Sequence, residues 1–135
     1  MNFNGTILLI DDEAHIRKFV GLVIKQQLGN PTLLEASNGQ EGVEIYQRES
    51  PDLVLLDISM PVMDGLQTLR RLKEVDPECL VVMLTSMANR QTVEDAQTHG
   101  AVNYIRKDTP KEEIARSIAQ TVATYFESDP ADATP

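Results

Sequence analysis

Only one cysteine, Cys79, stands in the 135 residues, so no internal disulfide can form and a cysteine-rich zinc site is excluded. A reducing compartment follows, and the cytoplasm is the expected location. No stretch reaches the roughly 18 consecutive apolar residues of a membrane helix, which excludes such a span. The opening Met1-Asn2-Phe3-Asn4-Gly5 lacks the basic and long apolar regions of a secretory signal. Positive charge is also scarce. Lys and Arg number 12 against 21 Asp and Glu, and the net charge of −9 repels nucleic acid and anionic lipid. Neither direct nucleic-acid binding nor a membrane partner is expected.

What is present suits one soluble domain: 41% hydrophobic and 24% charged residues, in a length too short for two. Five apolar runs of strand length occur at Ile7–Ile10, Leu33–Ala36, Leu53–Leu56, Leu80–Leu84 and Ala101–Ile105. Between them, Ile16, Phe19, Val20, Val23 and Ile24, and then Leu66, Leu69, Leu72 and Val75, recur at helical spacing and predict buried helix faces. Five β-α repeats call for a parallel sheet with helices on both faces, an α/β doubly wound fold. Glu35 and Asn103 interrupt the second and fifth runs, which places those two strands at the edges.

Turn and cap signals agree with that phasing. Thr109-Pro110-Lys111-Glu112 reads as a capping box with proline at the first helical position, opening a last helix that buries Ile114, Ile118, Val122 and Phe126. Gly100 closes the fourth helix, and Asn30-Pro31 and Asn38-Gly39 bracket the second strand with turns. Residues 1–126 form the expected domain. Residues 127–135, Glu-Ser-Asp-Pro-Ala-Asp-Ala-Thr-Pro, hold no large apolar side chain and are expected to be a disordered tail or the stub of a linker.

Function in a parallel α/β sheet gathers beyond the carboxyl ends of the strands. There the first run ends in Asp11-Asp12-Glu13, the third in Asp57, the fourth in Thr85-Ser86, and Lys107 follows the fifth. Asp11, Asp12 and Asp57 brought together repel one another unless a cation lies among them, and oxygen-only ligation suits Mg²⁺. A carboxylate beside Mg²⁺ and a lysine is equipped to attack a phosphoryl group, so Asp57 is the candidate nucleophile. Lys107 can neutralise a phosphoryl oxygen, and the Thr85 hydroxyl can donate to another.

These residues resemble the receiver domain of two-component response regulators. The resemblance is carried by Asp57-Ile58-Ser59-Met60-Pro61-Val62-Met63-Asp64-Gly65, by Ile10-Asp11-Asp12-Glu13, by Leu84-Thr85-Ser86, and by Gly100 through Lys107, in family order over residues 5 to 126. It implies a flavodoxin-like fold with strand order 2-1-3-4-5, an order that a chemotaxis receiver exemplifies. It further implies that Asp57 is the phosphoacceptor. Asp11 and Asp12, with Asp57 and the Ser59 backbone carbonyl, would hold Mg²⁺, Asp12 directly and Asp11 more often through water. Thr85, Tyr104 and Lys107 would be signalling residues. A sensor histidine kinase or histidine phosphotransfer protein would supply the phosphoryl group, and a downstream protein or an output domain of the same chain would receive the signal. Such a chain is a switch that catalyses only its own phosphorylation and dephosphorylation.

One position departs from the family pattern: Asp108, not proline, follows Lys107. A cis bond there would cost about 2.5–4 kcal/mol, so the Lys107–Asp108 peptide is expected to be trans, or strained if cis. Two other classes compete. An aspartate-nucleophile, Mg²⁺-dependent phosphatase of the haloacid dehalogenase type needs a second Asp two residues after the nucleophile, where Ser59 stands. A flavin mononucleotide protein needs a Ser-, Thr- and Gly-rich loop where Asp11-Asp12-Glu13 stands. His15 reads as a solvated helix residue, His99 as a last-turn residue without a role, Cys79 as a buried small hydrophobe, and Met60 and Met63 as packing residues.

Overall fold

A computed structural model describes residues 3–86 and 89–126. Five strands alternate with five helices: β1 (Thr6–Ile10), α1 (Ala14–Leu28), β2 (Thr32–Ala36), α2 (Gly39–Glu49), β3 (Leu53–Leu56), α3 (Gly65–Val75), β4 (Val81–Thr85), α4 (Arg90–Thr98), β5 (Asn103–Arg106) and α5 (Lys111–Phe126). The strands pair in parallel in the order β2-β1-β3-β4-β5. This is the flavodoxin-like arrangement, and the strands carrying Glu35 and Asn103 are the two edges.

Side chains alternate across a strand, so each central strand feeds two cores. Ile7, Leu9, Leu53, Leu55, Val82 and Leu84 meet Val20, Ile24, Ile114 and Ile118 of α1 and α5. On the other face Leu8, Ile10, Val54, Leu56, Val81 and Met83 meet Val43, Leu69, Leu72 and Ala96 of α2, α3 and α4. Cys79 is 2% exposed, and burial raises its thiol pKa, as expected of an inert core residue. Among the described residues no helix is long and apolar enough to cross a membrane.

Several boundaries and faces differ from the sequence reading. Leu80 precedes β4, and Ala101 and Val102 precede β5, because the chain is still leaving a turn there. Phe19, Val75 and Phe126 are 40%, 38% and 37% exposed rather than buried. Phe19 lies on the flank of the α1 face centred on Val20 and Ile24, and Val75 and Phe126 are the last residues of their helices. Phe126 instead tilts against Phe3, with ring centroids 5.4 Å apart. Pro110 precedes the first helical residue, and its carbonyl accepts the Glu113 and Ile114 amides. The expected tail, residues 127–135, lies outside the described residues.

The loop after β3 carries local strain. The Met63 amide donates to the Pro61 carbonyl at 2.8 Å, a tight turn centred on Val62, whose φ is +69°. A β-branched residue in that region costs about 1–2 kcal/mol, and Val62 is fully exposed, so no packing offsets it. Val62→Gly should therefore stabilise the fold by about 1 kcal/mol, read as a higher urea midpoint at unchanged slope. A lower midpoint would mean that the valine side chain makes a compensating contact.

Candidate functional site

The sheet ladder continues one residue past β1, β3 and β5 and fixes three of the candidate residues. The Asp11 amide donates to the Ala36 carbonyl at 3.1 Å, the Asp57 amide to the Ile10 carbonyl at 2.9 Å, and the Lys107 amide to the Thr85 carbonyl at 2.9 Å. Asp11, Asp57 and Thr85 are 5%, 2% and 0% exposed, whereas Asp12 and Glu13 face solvent. No cis peptide occurs among the described residues, so the Lys107–Asp108 bond is trans. Arg106 reaches across that turn to Asp108 with two hydrogen bonds, at 3.0 and 2.7 Å.

Lys107 is the hub of the charges. Its Nζ lies 2.8 Å from Asp11 Oδ2, 3.2 Å from Asp57 Oδ2 and 3.2 Å from Glu13 Oε1. Burial works against the ammonium, but the hydrogen bond it donates to Asp11 and the charges of Asp57 and Asp11 outweigh it and hold the lysine pKa above its ordinary range. Asp11 shows the reverse balance: burial raises its carboxyl pKa more than Lys107 and the Glu13 amide lower it.

Each acid is oriented by backbone. The Glu13 amide donates to Asp11 Oδ1 at 2.9 Å, and the Ser59 amide to Asp57 Oδ1 at 3.3 Å. The loop from Asp57 returns when Gly65 donates to the Ile58 carbonyl at 2.8 Å. Gly65 is required there, since a Cβ would collide with the Asp57 carbonyl. Asp64 then starts α3 as a capping box with Gln67.

Carboxylate oxygens of Asp11, Asp12, Glu13 and Asp57 all lie within 4.8 Å of one another. One ammonium against four carboxylates leaves the cluster negative, and an all-oxygen donor set of this charge fits a hard divalent cation. On β5, Tyr104 is half-buried, pairs in register with Met83 and packs against the α2-α3-α4 core. Burial, and then the negative charge of Asp57, raise its hydroxyl pKa. Thr85 follows Met83 by two residues, so both side chains leave β4 on that face.

The structure thus brings together Asp11, Asp12, Asp57 and Lys107, with Ser59 and Thr85 adjoining them and Tyr104 on the neighbouring strand. His15 is solvated, 75% exposed, with only a distant 3.8 Å approach to Glu13. His99 caps α4, and Met60 and Met63 pack as expected. Two residues were missed. Arg17 donates to the Asp11 carbonyl at 2.6 Å and to Glu35 Oε1 at 2.7 Å, tying the acid turn to the edge strand. Glu13 closes onto Lys107. The Arg17–Glu35 and Glu13–Lys107 partners are distant in the chain, so no spacing announces them.

Comparison with known proteins agrees with this geometry. A family model described as the response regulator receiver domain matches residues 7–119. The chain is 34% identical over 116 residues to the chemotaxis protein CheY of Bacillus subtilis, covering 86% of this chain and 96% of that protein. It is 36% identical over 119 residues to the nitrate/nitrite response regulator protein NarL of Escherichia coli K12, covering 88% of this chain but only 55% of that protein. The fold matches a crystal structure of a CheX-CheY-BeF3-Mg²⁺ complex from Borrelia burgdorferi with a TM-score of 0.80 and 25% identity, covering 91% of this chain and 90% of that one.

Proposed function

The chain belongs to the response regulator receiver family, and from that membership we propose that it accepts a phosphoryl group on Asp57 and relays the event through Thr85 and Tyr104. The carrying observation is the Lys107 ammonium 3.2 Å from a 2%-exposed Asp57 carboxylate, at the edge of a four-acid cluster. A buried carboxylate held by backbone, with a cation beside it, has little left to reorganise when a phosphoryl group arrives. Residues 1–126 act as the receiver unit. The donor is a sensor histidine kinase or histidine phosphotransfer protein, and the recipient a downstream protein or output domain.

Asp11, Asp12, Asp57 and the Ser59 carbonyl would hold Mg²⁺, which supplies neutralisation of the phosphoryl oxygens when bound. Within the chain, Lys107 offers an ammonium to one phosphoryl oxygen and Thr85 a hydroxyl to another. Asp12 is solvent-facing, and no ion pair to it occurs among the described residues, so Asp12→Ala removes a charged ligand without leaving a buried group unpaired. Its Mg²⁺ affinity should fall at least about tenfold, with thermal stability equal or slightly raised. Calorimetric titration reads the first and melting the second; unchanged affinity would remove Asp12 from the ligand set.

Signalling is tested with beryllofluoride and Mg²⁺, the pair named in the CheX-CheY complex. The Thr85 hydroxyl should move toward the phosphoryl mimic and vacate space for Tyr104, a local charge event biasing a two-state element. Amide shifts should change around Asp57 and also across residues 89–106, and Thr85→Ala should abolish the distal set. Changes confined to the neighbourhood of Asp57, or distal changes that survive Thr85→Ala, would contradict this route.

A further inference from the structure

An ammonium carries three N–H donors and no acceptor. The Lys107 ammonium lies within ion-pair distance of three carboxylates, Asp11 at 2.8 Å, Asp57 at 3.2 Å and Glu13 at 3.2 Å, and donates a hydrogen bond to Glu13. Three carboxylates thus hold the resting ammonium, and it turns most cheaply toward a phosphoryl oxygen on Asp57 by opening the contact that solvent can best replace. The Asp11 side chain is 8% exposed, and losing the ammonium would leave its charge buried and uncompensated. Asp57 is itself the carrier. The Glu13 side chain is 48% exposed, so water can replace the ammonium there at little cost.

We propose that Glu13 is a resting-state tether for Lys107, released when Asp57 is phosphorylated, and thus a positioning residue that slows phosphorylation by occupying the lysine beforehand. The inference rests on Asp57 being the phosphoacceptor. The contact joins residues 94 apart in sequence and closes the turn after β1 onto the turn after β5. Glu13 keeps its place without its side chain. Its amide donates to Asp11 Oδ1, and its carbonyl accepts the Ile16 and Arg17 amides at 3.1 and 3.2 Å. Truncating the carboxylate therefore tests the tether and leaves the turn standing.

Phosphorylation by acetyl phosphate with Mg²⁺ should be measured on wild type, Glu13→Ala and Glu13→Asp. The Ala variant should react about two- to fivefold faster, the scale of a half-exposed ion pair. Aspartate keeps the charge but is one methylene shorter, so it should side with Ala. A wild-type rate in Glu13→Asp with a fast Ala variant would overturn the tether in favour of general repulsion of the donor. An unchanged or slower Ala variant would overturn it outright. Mg²⁺ titration of the unphosphorylated variants gives an independent readout: a tenfold loss of affinity would make Glu13 a metal ligand and refute the tether. Absence of labelling in wild type would instead defeat the Asp57 reading, and the tether with it.

Discussion

Lys107→Met should lower thermal stability at neutral pH by on the order of 2 kcal/mol in metal-free buffer, and acid or Mg²⁺ should restore much of the loss. Asp11 and Asp57 are 5% and 2% exposed, and the ammonium is the one cation that an ion pair within 4 Å brings to either among the described residues. Removing it leaves two carboxylates facing each other in a poorly hydrated site. Because the folded-state pKa of Lys107 is raised above 10.5, its contribution is fully present below that pH and is lost only as pH climbs through the raised value. Neutral pH lies inside the full window.

The sign for Asp11 is opposite. Its folded-state pKa is raised above 3.8, so the folded chain holds that proton more tightly than the unfolded one, and stability falls as pH rises through this window. Loss of Lys107 removes the interactions that lower the Asp11 pKa, which widens the window. The deficit of the variant should therefore shrink as pH falls and Asp11 takes up its proton. Melting curves at pH 7 and pH 5, with and without Mg²⁺, measure it. Equal stability of variant and wild type at pH 7 without metal would mean that the ammonium does not neutralise the acids.

The sequence made the strands and the site acids readable for one physical reason: strands buried on both faces must be apolar throughout, so Leu53–Leu56 stands out and the next residue, Asp57, marks the sheet edge. Edge positions for β2 and β5 followed from Glu35 and Asn103. The full order came from the family resemblance, because apolar pattern does not say which buried strands are neighbours. Helix periodicity gave the centre of each face but not its width, which is why Phe19 was assigned inward. The Asp64-Gln67 capping box shares its segment with the loop that follows Asp57. The Arg17 contacts and the closing of Glu13 onto Lys107 could not be read from the chain, since an arginine on α1 and the last acid of the Asp11-Asp12-Glu13 patch acquire these partners only when β2 and β5 are in place.

Asp57 is held by the Ser59 amide and Lys107 in a pre-formed site, and an asparagine of the same shape keeps the packing while removing the anionic oxygen that would bond to phosphorus. Intact-protein mass spectrometry after treatment with acetyl phosphate and Mg²⁺ is the direct measurement. One added phosphoryl group on wild type and none on Asp57→Asn is the predicted result; equal labelling of both proteins, or an unlabelled wild type, would contradict it.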